Sequence, residues 1–215
     1  DAPPPTPPPP APAPVVRFSN RPSQPPPGGP PVQPYQAASV PAGRRTPDDL
    51  HDPARAEELG KVIEKILDVE APISLVLLSR RVGAYFGVGR VTAQVESRVR
   101  EVAGDRGQFG SGDDADVVWR KDQNPAVWPT VRVPGQAAET RREAIEVPVA
   151  EVASASLVVL ARNLGMGAPD LARETARLLG FARYTDKVNA RMRDGLLALI
   201  SRGACHIEDG HVSLP

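Results

Sequence analysis

Cysteine is almost missing: Cys205 stands alone among 215 residues, so no disulfide can close within the chain. That usage fits a reducing cytosol, and a cytoplasmic location is expected. Lysine is scarce too, four copies against 22 arginines. Neither sign of charge prevails, with 26 basic and 26 acidic residues, so the whole chain lacks the basic excess of a simple nucleic-acid binder. No apolar run approaches the roughly 18 residues that a membrane helix needs. Residues 1–14 are dominated by proline and alanine, without the basic start and apolar stretch of a signal peptide. The chain opens on Asp1 rather than Met, which reads as a fragment or a processed product.

Catalytic patterns are missing as well. No Ser/His/Asp set, paired-carboxylate pattern or cofactor loop stands out, so the expectation is a non-enzymatic chain with no cofactor, metal or small-molecule substrate. Cys205, His206 and His211 lie close together beside Glu208 and Asp209. A zinc site wants four ligands at recognisable spacing, and no second pair exists here, so these read as strand and turn residues.

Proline is abundant and concentrated: 16 of 26 copies fall in the first 34 residues. Such a stretch favours extended polyproline II and cannot bury a core. Residues 1–50 are therefore expected as a largely disordered linker, in which Pro31–Val40 has the character of a short extended arm. A folding portion of this size suits two small units better than one large core.

The first unit is expected over residues 51–121. Asp52 can cap, Pro53 suits a first helical turn, and Leu59, Val62, Ile63, Ile66 and Leu67 share one face. Pro72 ends that helix. A second carries Leu75, Leu78, Val82 and Tyr85, and Gly87 and Gly89 end it in turn. Thr92 caps a third with Val95, Val99 and Val102. Two short strands around a Gly/Asp turn follow. The same order returns over residues 148–215, after a connector (122–147) holding Trp128. A shift of 93 positions aligns the central helices without gaps. Eight identities result within columns 75–100, among them Gly87/Gly180, Arg90/Arg183, Thr92/Thr185, Val95/Val188 and Arg98/Arg191. The expected fold class is thus mainly α with small β-hairpins (α+β): tandem winged helix-turn-helix units behind a disordered proline-rich tether.

The glycines near 87 could suggest a phosphate-binding loop. A Walker loop needs a preceding strand and a Gly-Lys-Ser/Thr end, and a dinucleotide loop needs a third glycine where Thr92 stands. Only the first glycine is common to both copies, since Ala182 replaces Gly89. One glycine at a helix C-terminus is what a helix-turn-helix turn requires, because φ must be positive there.

In such a turn the following helix meets bases and phosphates. On a helical wheel Val188, Met192, Leu196 and Leu199 form the core arc. Arg183, Lys187 and Arg191 step by four on an outward stripe, with Thr185 at the N-cap. Their counterparts are Arg90, Thr92 and Arg98, but Gln94 and Glu101 make that face less basic. Each unit is near neutral, with 11 basic and 11 acidic residues in 53–121 and 8 and 7 in 148–215. Contact with duplex DNA and docking on a protein therefore both stand open. Trp119 and Trp128 are expected to pin the inter-unit connection rather than to stack bases.

The stretches PYQAASV, DVEAPISLVLLSRRVGAYFGVGR, WRKDQNPAVWPTVRV and VPVAEVASASLVVL, with ARETARLLGFARYTDKVNARM, resemble the C-terminal region of large bacterial superfamily 1 helicase-like proteins. That region includes the domain of unknown function 3320. The resemblance covers most of the chain after about residue 31. It implies an accessory, DNA-associated role and an upstream motor in the same polypeptide. It supplies no catalytic or binding residues, and Walker motifs are absent from these residues. The chain departs from the pattern at Val91 and Gln94, where relatives are more basic, which weighs against DNA contact by the first unit.

Overall fold

The structure is a computed structural model describing residues 29–163 and 165–215. The greater part of the expected tether, residues 1–28, lies outside them. Residues 32–50, expected to belong to the linker, are folded onto the remainder of the molecule. Strand β1 (Val32–Pro34) pairs in parallel with a distant segment, Val131–Val133. Tyr35 and Leu50 are buried in the first core. The high proline content masked these few apolar anchors, whose burial becomes possible only against partners far along the chain.

Asp52 caps a 3-10 turn at Pro53–Arg55 by accepting from the Ala54 N–H. Helix α1 (Ala56–Glu70) follows and buries Leu59, Val62, Ile63, Ile66 and Leu67 at helical spacing. Strand β2 (Ile73–Ser74), too short to show a periodicity in the sequence, comes next. The Ser74 hydroxyl then accepts from Leu77 N–H and starts α2 (Leu75–Tyr85). Gly87 takes φ +66°. Thr92 caps α3 (Ala93–Arg106) by accepting from Val95 N–H. Strands β3 (Gln108–Phe109) and β4 (Val117–Trp119) are antiparallel, and β2 joins the pair in the order β2-β4-β3. Full burial of an apolar side chain such as Ile63, Ile66 or Leu78 contributes about 1.5–3 kcal/mol.

Strand β5 (Val131–Val133) is the partner of β1. Helix α4 (Val149–Asn163), strand β6 (Met166–Gly167), helices α5 (Ala168–Leu178) and α6 (Asp186–Ser201), and strands β7 (His206–Glu208) and β8 (His211–Ser213) complete the chain. Their sheet runs β6-β8-β7, the arrangement seen in the first half. Helices α2 and α5 begin and end at positions 93 apart, and so do β2 and β6. The architecture is mixed helix and strand, dominated by helices.

Eleven of the fifteen residues of α4 are buried, because it packs on α5 and α6 on one side and on the first half on the other. Gly195 makes the α4–α6 approach possible: a Cβ there would lie 2.4 Å from Val152 Cγ1. Between the halves, Trp119 meets Trp128 edge to face at 5.5 Å and packs with Val117 and Ala150. The tryptophans thus pin the connection, as their positions around the connector suggested. Asp114, beside β4, accepts from the N–H groups of Val149 and Ala150 at 2.7 and 3.0 Å, satisfying the start of α4.

Candidate nucleic-acid interface

The turn before α6 is built by Gly180, whose φ is +86° and whose missing Cβ would lie 2.2 Å from the Pro134 ring. Backbone conformation and close approach both demand glycine there. Thr185 caps α6 by accepting from Val188 N–H at 3.4 Å. Its hydroxyl proton stays available to donate to an acceptor in solution. Arg183 lies in the turn, three residues before α6 begins, and not on the expected helical stripe, whereas Lys187 is in the first turn of α6; both are exposed. Neither has a hydrogen bond or ion pair among the described residues.

Arg191 departs from the expected outward stripe. It is only 8% exposed. Its Nε donates to the Val147 carbonyl at 2.7 Å, and a terminal nitrogen lies 3.5 Å from Asp114. Burial pushes its guanidinium pKa down, against the charges of Asp114, Asp194 and Asp113 that favour the cation. The reason lies in helix geometry: Arg191 is three residues after buried Val188 and four before buried Gly195, so it belongs to the flank of the core. Packing of the connector onto that flank covers it.

The connector also forms the far wall of a cleft. A cavity of about 740 Å³ lies between the start of α6 and the segment Arg142–Ile145. Arg183, Thr185 and Lys187 line one side, with Phe181 and Ala182 from the turn. Ile145, 60% exposed, lines the other. Nothing in the sequence marked Arg142, Ile145 or Phe181 as lining residues, since they lie off the helix that carries the basic spacing.

The first half shows a comparable hollow of about 630 Å³ at the start of α3. Arg90, Thr92 and Gln94 face Asp48, His51 and Asp52 across it. Arg90 and Thr92 are exposed. Arg98 is half-buried and paired with Glu101 at 2.9 Å. Among the described residues, two unpaired cations, Arg183 in the turn and Lys187 on α6, line the second hollow together with the carboxylates of Glu143 and Asp194, and one, Arg90, lines the first, opposite Asp48 and Asp52.

A buried ionic cluster between the halves has no local signature in the sequence. Glu151 is fully buried and accepts from Arg132 Nη2 at 2.7 Å and from both terminal nitrogens of Arg142 at 2.8 Å. Burial pushes its carboxyl pKa up, but the charges and hydrogen bonds of Arg132 and Arg142 outweigh this and hold it down at about 2. Arg132 also donates to the carbonyls of Glu70 and Pro72, tying β5 to the end of α1. Buried Glu70 accepts from the Tyr35 hydroxyl at 2.5 Å, from Ala38 N–H and from Arg81. Burial and the neighbouring Glu70 charge push the Tyr35 phenol up. Both guanidinium groups lie over the Tyr35 ring, Arg142 at 4.3 Å and Arg132 at 5.2 Å. Each charge has a partner and each carboxylate several donors, which marks a structural clamp rather than a reactive centre.

Cys205 points inward, and burial pushes its thiol pKa up, while His206 and His211 are exposed. Among the described residues no three His, Cys, Asp or Glu side chains gather as a metal site. No described helix is long and apolar enough to cross a membrane.

Residues 48–97 match the model of a family described as a protein of unknown function, DUF3320. The match supports a DUF3320 domain running from Asp48, ahead of the 3-10 turn at Pro53–Arg55, into the first turns of α3. It includes Arg90 and Thr92 but stops before Arg98 and the whole second half. No curated protein and no solved structure matches the chain.

Proposed function

We propose that the chain is a non-catalytic DNA-binding module, built from two winged-helix units over residues 51–121 and 148–215. It serves as an accessory part of a larger helicase-like protein. The observation that carries this reading is the pair Arg183 and Lys187. They are exposed, unpaired cations, one in the turn before α6 and one in its first turn, on either side of the Thr185 cap in the sequence. The recurrence of helix, strand, helix, helix and two strands supports the winged-helix assignment, since the helix after the turn is the one such folds present to DNA. Arg90 and Thr92, just before α3, are secondary contacts, weakened by Asp48 and Asp52 opposite. Arg191 and Arg98 have other roles.

A docking module is the competing reading, and one observation favours it. Tyr184, Leu197 and Ile207 are exposed apolar side chains around a groove of about 430 Å³ between α5, α6 and β7. Exposed apolar clusters of this kind often meet a protein.

A salt titration of DNA binding, followed by fluorescence anisotropy with duplex and single-stranded oligonucleotides, separates the two. Arg183→Ala with Lys187→Ala is expected to reduce the slope of log affinity against log salt by roughly 0.7–0.9 per lost contact. Arg90→Ala is expected to change it less. Absence of binding to either form at low salt, or an unchanged slope in the double variant, favours docking instead.

A further inference from the structure

The cationic start of α6 faces the connector, and this restricts the form of DNA that can reach it. An α-helix with its side chains is about 10–12 Å across. The B-DNA major groove is about 12 Å wide. A lone helix fits such a groove, but a helix with a second chain segment packed on its cationic flank does not. Here Arg191 Nε is bonded to the Val147 carbonyl at 2.7 Å, so the segment before α4 lies directly against that flank. Ile145 extends the same wall toward Arg183 and Lys187. A duplex would have to displace this segment, which the buried Arg142–Glu151 pair holds in place.

The lining chemistry matches a single strand. Exposed Arg183 and Lys187 offer charge to phosphates on one wall; the carboxylates of Asp194 and of Glu143, the latter paired with Arg80 at 3.7 Å, also line the cleft. Exposed Ile145 and half-buried Phe181 offer apolar surface to base faces. Phosphate-tracking cations beside an aromatic ring on which a base stacks, here Phe181, are what sequence-tolerant single-strand binding uses. The volume of about 740 Å³ is typical of sites that enclose a drug-sized ligand, hence roughly one or two nucleotides.

We infer that the cleft between the start of α6 and residues 142–145 holds the backbone and bases of single-stranded DNA. This rests on the DNA-binding reading above and narrows it. The test uses the full chain with a fluorescein-labelled 20-nucleotide strand of mixed sequence, and with the duplex of the same sequence, at low salt. The single strand is expected to bind at least tenfold more tightly than the duplex. Arg183→Ala with Lys187→Ala, and separately Ile145→Asp, are each expected to weaken single-strand binding tenfold or more, with thermal midpoints unchanged. Ile145→Ser serves if the aspartate alters the fold. Duplex binding as tight as single-strand binding overturns this inference and leaves the DNA-binding reading standing. Preference for the single strand with affinity indifferent to all these variants places the site elsewhere and overturns the cleft. No binding of either form overturns both.

Discussion

At the residue scale the two arginine–carboxylate assemblies behave oppositely. Exposed pairs such as Arg173–Asp170 contribute little, because water already solvates both partners. Glu151 cannot be solvated in place, and among the described residues Arg132 and Arg142 compensate it. Glu151→Gln leaves two buried guanidinium groups short of a counter-charge, and breaking such a cluster costs about 3–5 kcal/mol. A drop in thermal midpoint on the order of 10 °C is expected; a change of under about 2 °C would refute the clamp. The same group sets an acid limit. Its folded pKa is depressed, so its stabilisation is complete above the unfolded carboxylate value and is lost as pH falls toward about 2. Denaturant midpoints for the wild type are expected to fall between about pH 5 and pH 2 more steeply than for Glu151→Gln. Parallel curves for the two proteins would contradict this.

At the element scale, two helical glycines with opposite surroundings make a paired test. Gly104 in α3 is exposed, and a Cβ there would meet nothing within 4 Å. Helix propensity alone decides, so Gly104→Ala is expected to stabilise by about 0.5–1 kcal/mol. Gly195 in α6 faces Val152 and the Ala153 backbone nitrogen, at 2.4 and 3.1 Å from the missing Cβ. There overpacking opposes propensity, and Gly195→Ala is expected to destabilise by about 1–3 kcal/mol. Urea denaturation measures both, and equal signs would mean that the α4–α6 approach is looser than described. Much of this level was legible in the sequence. The helices, the Asp52 cap on the 3-10 turn that leads into α1, the Thr92 and Thr185 helix caps, and the turn glycines with positive φ follow from local rules that operate within a few residues. Strands β2 and β6 were not, because two-residue strands carry no periodicity and exist only through their partners β4 and β8.

At the scale of the whole molecule, the Trp119–Trp128 pair, the Asp114 cap on α4 and the buried ionic cluster are among the devices that join the halves. Residues 32–40 reinforce the last through Tyr35 and the Ala38 N–H. A chain starting at residue 41 loses β1 and leaves Glu70 short of two donors. Its thermal midpoint is expected to fall by several degrees relative to a chain starting at residue 29, since an unsatisfied buried group costs about 1–3 kcal/mol. Equal midpoints would show that the segment merely rests on the surface. By itself the sequence determined the helical spans, the 93-residue recurrence and the glycine-dependent turns, because these depend on spacing and on backbone sterics between neighbours. Only the tertiary structure decided which cations are free. Arg183, Lys187 and Arg191 look equivalent on a helical wheel, yet Val147 and Asp114, from distant segments, bury the third. The wheel shows which way a side chain leaves its own helix. It carries nothing about which chain segment arrives to meet it, and that arrival is what turned an open stripe into a walled cleft.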